Sequence, residues 1–201
     1  MKKLVIGLFI TMLGIIFAGC GTTAKEIRAR SQSEKSDIFA EVKDGGIIPK
    51  GFAELIIKAN IKTHIEGYYV LESTESLHGK QGYPFLLNID GQAALWKVGG
   101  VKDSRPAYEG DGKASHDPEA RKGMKYTLEK RVRMAAGTHK VFLGFPEENF
   151  FTEVEVTLTE GGENILEFKP VYRYKTHPTR IPTFLKGIKE YEAYLNGNKI
   201  R

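Results

Sequence analysis

"FLLNIDGQAALWKV", Phe85 to Val98, decides the fold. Two apolar runs flank Asp90-Gly91. Asp-Gly supplies the positive backbone angles that a tight hairpin turn demands, so the stretch predicts two antiparallel strands joined directly. Upstream, Ala53, Leu55, Ile57, Ala59 and Ile61 alternate with Glu54, Lys58, Asn60 and Lys62, and Ile56 interrupts the polar face once. That is the period of a half-buried strand. "YYVL", Tyr68 to Leu71, reads as another. Downstream, Tyr126, Leu128, Val132 and Met134 share one face of "KYTLEKRVRM", and Val141, Leu143 and Phe145 one face of "HKVFLGF". "TEVEVTL" sends Val154, Val156 and Leu158 one way and Glu153, Glu155 and Thr157 the other. "NILEFKPVYRY" offers Leu166, Phe168, Val171 and Tyr172 to a core. Strands at about ten-residue spacing, punctuated by turns, predict an all-β chain folded as an antiparallel β-sandwich. The tail adds one or two helical turns after Pro182-Thr183, a strand over Tyr191 to Leu195, a turn at Asn196-Gly197 and a very short return strand.

Composition sets outer bounds. The chain has 201 residues, 41% hydrophobic and 27% charged, which suits one globular domain with extensions. A net charge of +5, two units of it from Lys2 and Lys3, is too weak and scattered for a nucleic-acid surface. The single cysteine, Cys20, excludes an intramolecular disulfide, a cysteine zinc cluster and an iron–sulfur site.

The first residues, "MKKLVIGLFITMLGIIFAGC", have a basic start, an apolar run from Leu4 to Ala18 and small residues before Cys20. That layout predicts a secretory signal. A retained membrane anchor is the competing reading, but a helix over that run would be roughly 22 Å long against a hydrocarbon core of ~30 Å. "FAGC" resembles a bacterial lipobox, with Ala18, Gly19 and Cys20 in place and Phe17 where leucine is usual. The resemblance implies cleavage after Gly19, a diacylglycerol thioether on Cys20 and acylation of the new amino terminus. Two or three acyl chains hold a protein firmly to a bilayer. Gly21, rather than aspartate, after the cysteine implies the outer membrane by analogy with enteric bacteria.

The expected organisation is therefore a signal peptide over 1–19, the lipidated cysteine and a polar flexible tether over 20–51, a sandwich over 52–175 and a C-terminal extension over 176–201. Within the sandwich, 99–123 shows neither helix nor strand period and reads as a long solvated loop. "FLLNIDGQ" with "MAAGTHKVFLGFPEENFFTEVEVTLTEG" is similar to the PEGA domain, a small transthyretin-like β-sandwich of bacterial surface proteins. Asp90, Gly91, Gly137, His139 and Val141 carry the likeness. It implies a non-enzymatic module for surface interaction or assembly.

No residue set predicts catalysis, and no cofactor is expected. Ser115-His116-Asp117 has the letters of a hydrolase triad, but adjacent residues cannot align nucleophile, base and orienter. Glu109, Asp111, Asp117 and Glu119 lack calcium-loop spacing and stand among Lys113, Arg121 and Lys122. His64 and Glu66 would share a strand face as two metal ligands, and no motif completes them, so His64, His78, His116, His139 and His177 read as surface or turn residues without a metal. Phe145, Phe150 and Phe151 cluster at a hairpin tip, as core or as contact residues. The function expected is a lipid-anchored envelope lipoprotein. Its sandwich would be a non-catalytic interaction or structural module that meets the membrane through Cys20 and an envelope protein through its loops, with no nucleic-acid partner. The alternative is a ligand or glycan binder using 99–123.

Overall fold

The computed structural model describes residues 19–43, 46–174 and 183–201. The apolar leader through Ala18, His177 and the Pro182 end of the expected extension lie outside them. Two sheets face each other across one core. The larger contains β1 (Phe39–Glu41), β2 (Phe52–Thr63), β5 (Gly100–Arg105), β6 (Arg121–Ala135), β9 (Glu163–Tyr172), β10 (Ile188–Leu195) and β11 (Asn198–Lys199). Its order is β1-β6-β2-β9-β10-β11, with β5 on the β1 side of β6. The smaller contains β3 (Tyr83–Ile89), β4 (Gln92–Val98), β7 (Gly137–Phe145) and β8 (Phe150–Leu158), in the order β4-β3-β7-β8.

The Asp-Gly hairpin forms as expected. Ile89 pairs with Gln92, and Asp90 (φ 48°) and Gly91 (φ 98°) make the turn. The alternating faces also form the core: Leu55, Ile57, Ile61, Tyr126, Leu128, Val132, Val141, Leu143, Phe145, Leu166 and Phe168 are all buried between the sheets. One pairing departs from an all-antiparallel sandwich. β2 runs parallel to β9, Glu54 opposite Glu163 through Ala59 opposite Phe168, so the larger sheet is mixed. β6 and β7, consecutive in sequence, are not a hairpin. Gly137 (φ 125°) lets the chain leave one sheet for the other.

Four further expectations are corrected. "YYVL" is not a strand but a turn-rich segment: Val70 is 98% and Leu71 97% exposed. Among the described residues its β-forming side chains pair with no strand. The 99–123 segment is not an open loop. Gly100 to Arg105 pair with the first residues of β6, Gly100 opposite Tyr126 and Arg105 opposite Arg121. Residues 20–51 are not a free tether either. The helix α1 (Gly19–Arg30) sets Ile27 against Leu86 and Phe142 on the outer face of the smaller sheet, and β1 pairs with β6. At the other end, β10 lies inside the larger sheet and places Tyr191 and Ala193 in the core, so this stretch belongs to the sandwich. A 3-10 turn, Phe184–Lys186, precedes it.

Candidate functional site

Two clusters of polar side chains converge at one end of the sandwich, where β2 stops. β2 ends at Thr63, and the chain crosses to β3 through residues 64–82. His64 leaves the strand into a nearly buried position. His78 returns beside it, with His64 Nε2 and His78 Nδ1 3.0 Å apart. Glu72 Oε1 lies 3.3 Å from each of those nitrogens. The two rings meet edge to face at 89°. Expected as unrelated surface or turn residues, the two histidines are one cluster. Glu66, the carboxylate expected beside His64, plays no part in it. Strand alternation ends at Thr63, so it cannot carry Glu66 onto the same face.

Each ligand-type atom is oriented from behind. His64 Nδ1 lies 3.0 Å from the Ile65 carbonyl. His78 Nε2 lies 2.7 Å from Glu148 Oε1, and the Tyr83 hydroxyl donates to the same oxygen at 2.7 Å. The Ser76 hydroxyl donates to Glu72 Oε1 at 2.6 Å. Glu148 arrives from the 3-10 turn Pro146–Glu148 between β7 and β8. Burial disfavours charge on both members of the His78–Glu148 pair, but their mutual contact wins. Glu148 is held below the usual carboxylate range, and His78 is raised above the usual imidazole value. Burial, then the neighbouring Glu148, drives the Tyr83 phenol well above its ordinary value.

Backbone geometry fixes His78. Gly79 follows it at φ 74°, and a Cβ there would stand 2.0 Å from the Glu66 nitrogen, so only glycine allows the approach. The Gly79 N–H donates to the Thr63 hydroxyl at 3.1 Å, tying the return of the loop to the end of β2. Two recesses adjoin the cluster. One, of about 230 Å³, is bounded by His64, Tyr69, His78, Tyr172 and Phe184, and the other, of about 250 Å³, by Tyr69, Val70, Glu72 and Ser73.

A second polar cluster lies beside the first. The Lys62 side chain is fully buried, and its ammonium donates to Asp103 (2.6 Å), the Glu119 carbonyl (2.7 Å) and the Arg121 carbonyl (2.8 Å). Arg105 reaches Asp117 at 3.0 Å and Glu119 at 2.8 Å, and Lys125 reaches Glu119 at 2.8 Å. Asp117 and Glu119 are thus neutralised by Arg105 and Lys125, not by Arg121 and Lys122, while Lys113 does hold Asp111 at 2.7 Å. A recess of about 520 Å³ runs along this hairpin past Ile65, Lys102, Ser104, Lys122 and Met124, and no aromatic ring lines it.

Ser115 Oγ accepts from the Asp117 N–H, and Asp117 faces Arg105, so the three adjacent residues form no relay. His139 Nδ1 meets the Asp90 carboxylate at 2.7 Å. Phe145 is core, stacked on Tyr191, while Phe150 and Phe151 are half-buried. Cys20 lies in the backbone of α1, and its side chain is outside the described residues. No protein-family model, no curated protein and no solved structure matches this chain.

Proposed function

We propose that this chain is a lipid-anchored bacterial envelope lipoprotein whose sandwich is a non-catalytic interaction module. The lipid on Cys20 fixes it to the membrane, at the outer membrane in a two-membrane envelope. The loop between β2 and β3 engages an envelope protein. The observation that carries this reading is the loop tip. Val70 and Leu71 are almost fully exposed, and Tyr68 (48%) and Tyr69 (46%) stand beside them. Scattered exposed apolar residues are ordinary, whereas four in succession at a loop tip mark a contact surface.

The placement of α1 supports it. The Asn88 side-chain amide donates to the Arg30 backbone carbonyl, and Ile27 packs on Leu86, so the helix runs back along β3 toward the end where the β2–β3 loop projects. An anchor at Cys20 sets that end against the membrane surface. The finer fold reading is PEGA-like. In support, the motif positions Asp90 and His139 bond to each other, and the Lys140 N–H donates to Asp90 at 2.9 Å.

A second reading, an envelope ligand or glycan binder using 99–123, rests on the 520 Å³ recess. Its lack of an aromatic platform favours the protein partner. The test is a photo-reactive residue at position 70 in the native envelope, with position 95 on β4, also exposed, as control. A protein adduct specific to position 70 is expected. Equal labelling at both positions, or none, refutes the contact. For the anchor, a Cys20→Ala chain that stays wholly membrane-bound and carries no lipid mass ends the proposal.

A further inference from the structure

We propose that His64, Glu72 and His78 bind one divalent transition-metal ion of the zinc class. The three inward atoms form a triangle with edges of 3.0, 3.3 and 3.3 Å. Tetrahedral zinc with bonds of about 2.0–2.1 Å sets neighbouring ligand atoms about 3.3 Å apart. The ligands already stand at coordination spacing.

The hydrogen bonds behind them dictate what those atoms present. A backbone carbonyl only accepts, so His64 Nδ1, facing Ile65 O, carries the proton of the neutral ring. The Glu148 carboxylate accepts from Tyr83 and faces His78 Nε2, so that nitrogen carries the proton of the other ring. In their neutral state, the one in which a metal takes them, both rings turn a lone pair inward, toward each other and toward a carboxylate oxygen. In that state three electron-rich atoms stand at contact distance, and a positive centre among them relieves their repulsion. A proton lies between two of the atoms at a time. A metal ion at the centre meets all three.

The supporting shell is that of a built metal site. A ligating imidazole commonly gives its other N–H to a carboxylate or a backbone carbonyl, and here each histidine uses one of those two partners. Ser76 fixes the third ligand. Two imidazoles and one carboxylate suit zinc and its neighbours, whereas calcium and magnesium take oxygen ligands. Three protein donors leave one position of a tetrahedral ion open. All three belong to the β2–β3 connection, so the ion would close the loop that carries Tyr68 to Leu71 at its neck.

The full chain, freed of metal, is titrated with Zn²⁺ by calorimetry, and with Co²⁺ by visible absorption, which reports four-coordinate geometry. One ion per chain and the bands of tetrahedral cobalt are expected. His78→Ala and Glu72→Ala should abolish the bands. Glu148→Gln should weaken zinc binding about 10–100-fold. His139→Ala should bind as wild type. Glu72 lies in the loop, so its variant keeps the sheets intact, and circular dichroism of each variant separates lost binding from lost folding. Substoichiometric uptake, binding that survives both His78→Ala and Glu72→Ala in folded protein, or equal loss in His139→Ala overturns the proposal.

Discussion

Glu54 sits on the outer face of β2 with 1% of its side chain exposed, and Arg131 and Arg133 of β6 reach its two oxygens at 2.7 and 2.6 Å. Replacing it by glutamine keeps the shape and removes the charge. A hydrogen bond to a charged group contributes about 1.5–3 kcal/mol. The amide retains one acceptor, and the arginines, 22% and 24% exposed, regain part of their hydration. The expected net loss is about 2–3 kcal/mol at neutral pH, or roughly 5–10 °C in Tm for a chain of this size. The pH dependence identifies the cause. The Arg133 contact, with Arg131, holds the Glu54 carboxyl below its unfolded value despite burial. Its contribution is therefore complete above the unfolded pKa and fades as pH falls through the lower, folded one. Urea unfolding of both proteins from neutral pH into acid should show the gap between wild type and Glu54→Gln closing below about pH 4. A gap that stays constant into acid, or one under about 0.5 kcal/mol at neutral pH, refutes the assignment of this stability to the ion pairs.

Phe145→Ala removes a ring with no exposed surface that stacks on Tyr191 at 4.8 Å and meets Phe85 at 5.2 Å, and should cost about 3–5 kcal/mol in chemical denaturation. Gly79→Ala forces a side chain into a left-handed backbone against Glu66, so roughly 2–4 kcal/mol is expected, with faster amide exchange concentrated over 64–82. Ile27→Asp places a charge on the Leu86–Phe142 contact and should release α1. Limited proteolysis should then cut within 19–36 while the two sheets stay protected.

What was legible in the sequence was what local chemistry decides. Asp90-Gly91 names its own turn, and parity alone sorts Leu55 from Glu54 and Val141 from Lys140. Parity is silent about partners. Nothing local says that β2 lies parallel to β9, or that β6 and β7 separate at Gly137 into different sheets. Tyr68 to Leu71 misled because β-propensity measures fit to a pleated, half-buried surface, and this segment has no such surface beside it. Gly100 to Arg105 misled in the opposite sense. "GVKDSR" has little apolar pattern, yet it pairs through its backbone with β6, and its Asp103 is fixed by a lysine from another strand. The histidine cluster needed four elements that sequence could not bring together: the end of β2, two points of the following loop and the turn after β7. The signal available was His64 at the end of a strand, followed by a histidine-glycine pair that returns to it.

The polar face of β2 also explains why the candidate site stands where it does. An alternating strand implies a solvated face only when that face is open. β2 is flanked by β6 along its whole length and by β9 as far as Ala59, and Glu54 and Lys62 are buried although they lie opposite the core residues Leu55 and Ile61; His64, just past the end of the strand, is buried as well. A buried polar group must find partners or cost the full loss of its hydration. At the end of the strand that requirement becomes an organising device. Lys62 draws in the β5–β6 hairpin through Asp103 and two carbonyls. Thr63 takes the Gly79 N–H. His64 takes His78 and faces Glu72. Three consecutive residues thus fasten two parts of the surrounding chain, the β5–β6 hairpin and the return of the β2–β3 loop at His78-Gly79. Hydrogen bonds from the end of β2 hold the loops at this end, alongside the packing of Leu77 on the core, and they concentrate ligand-type atoms beneath the exposed tip at Val70 and Leu71.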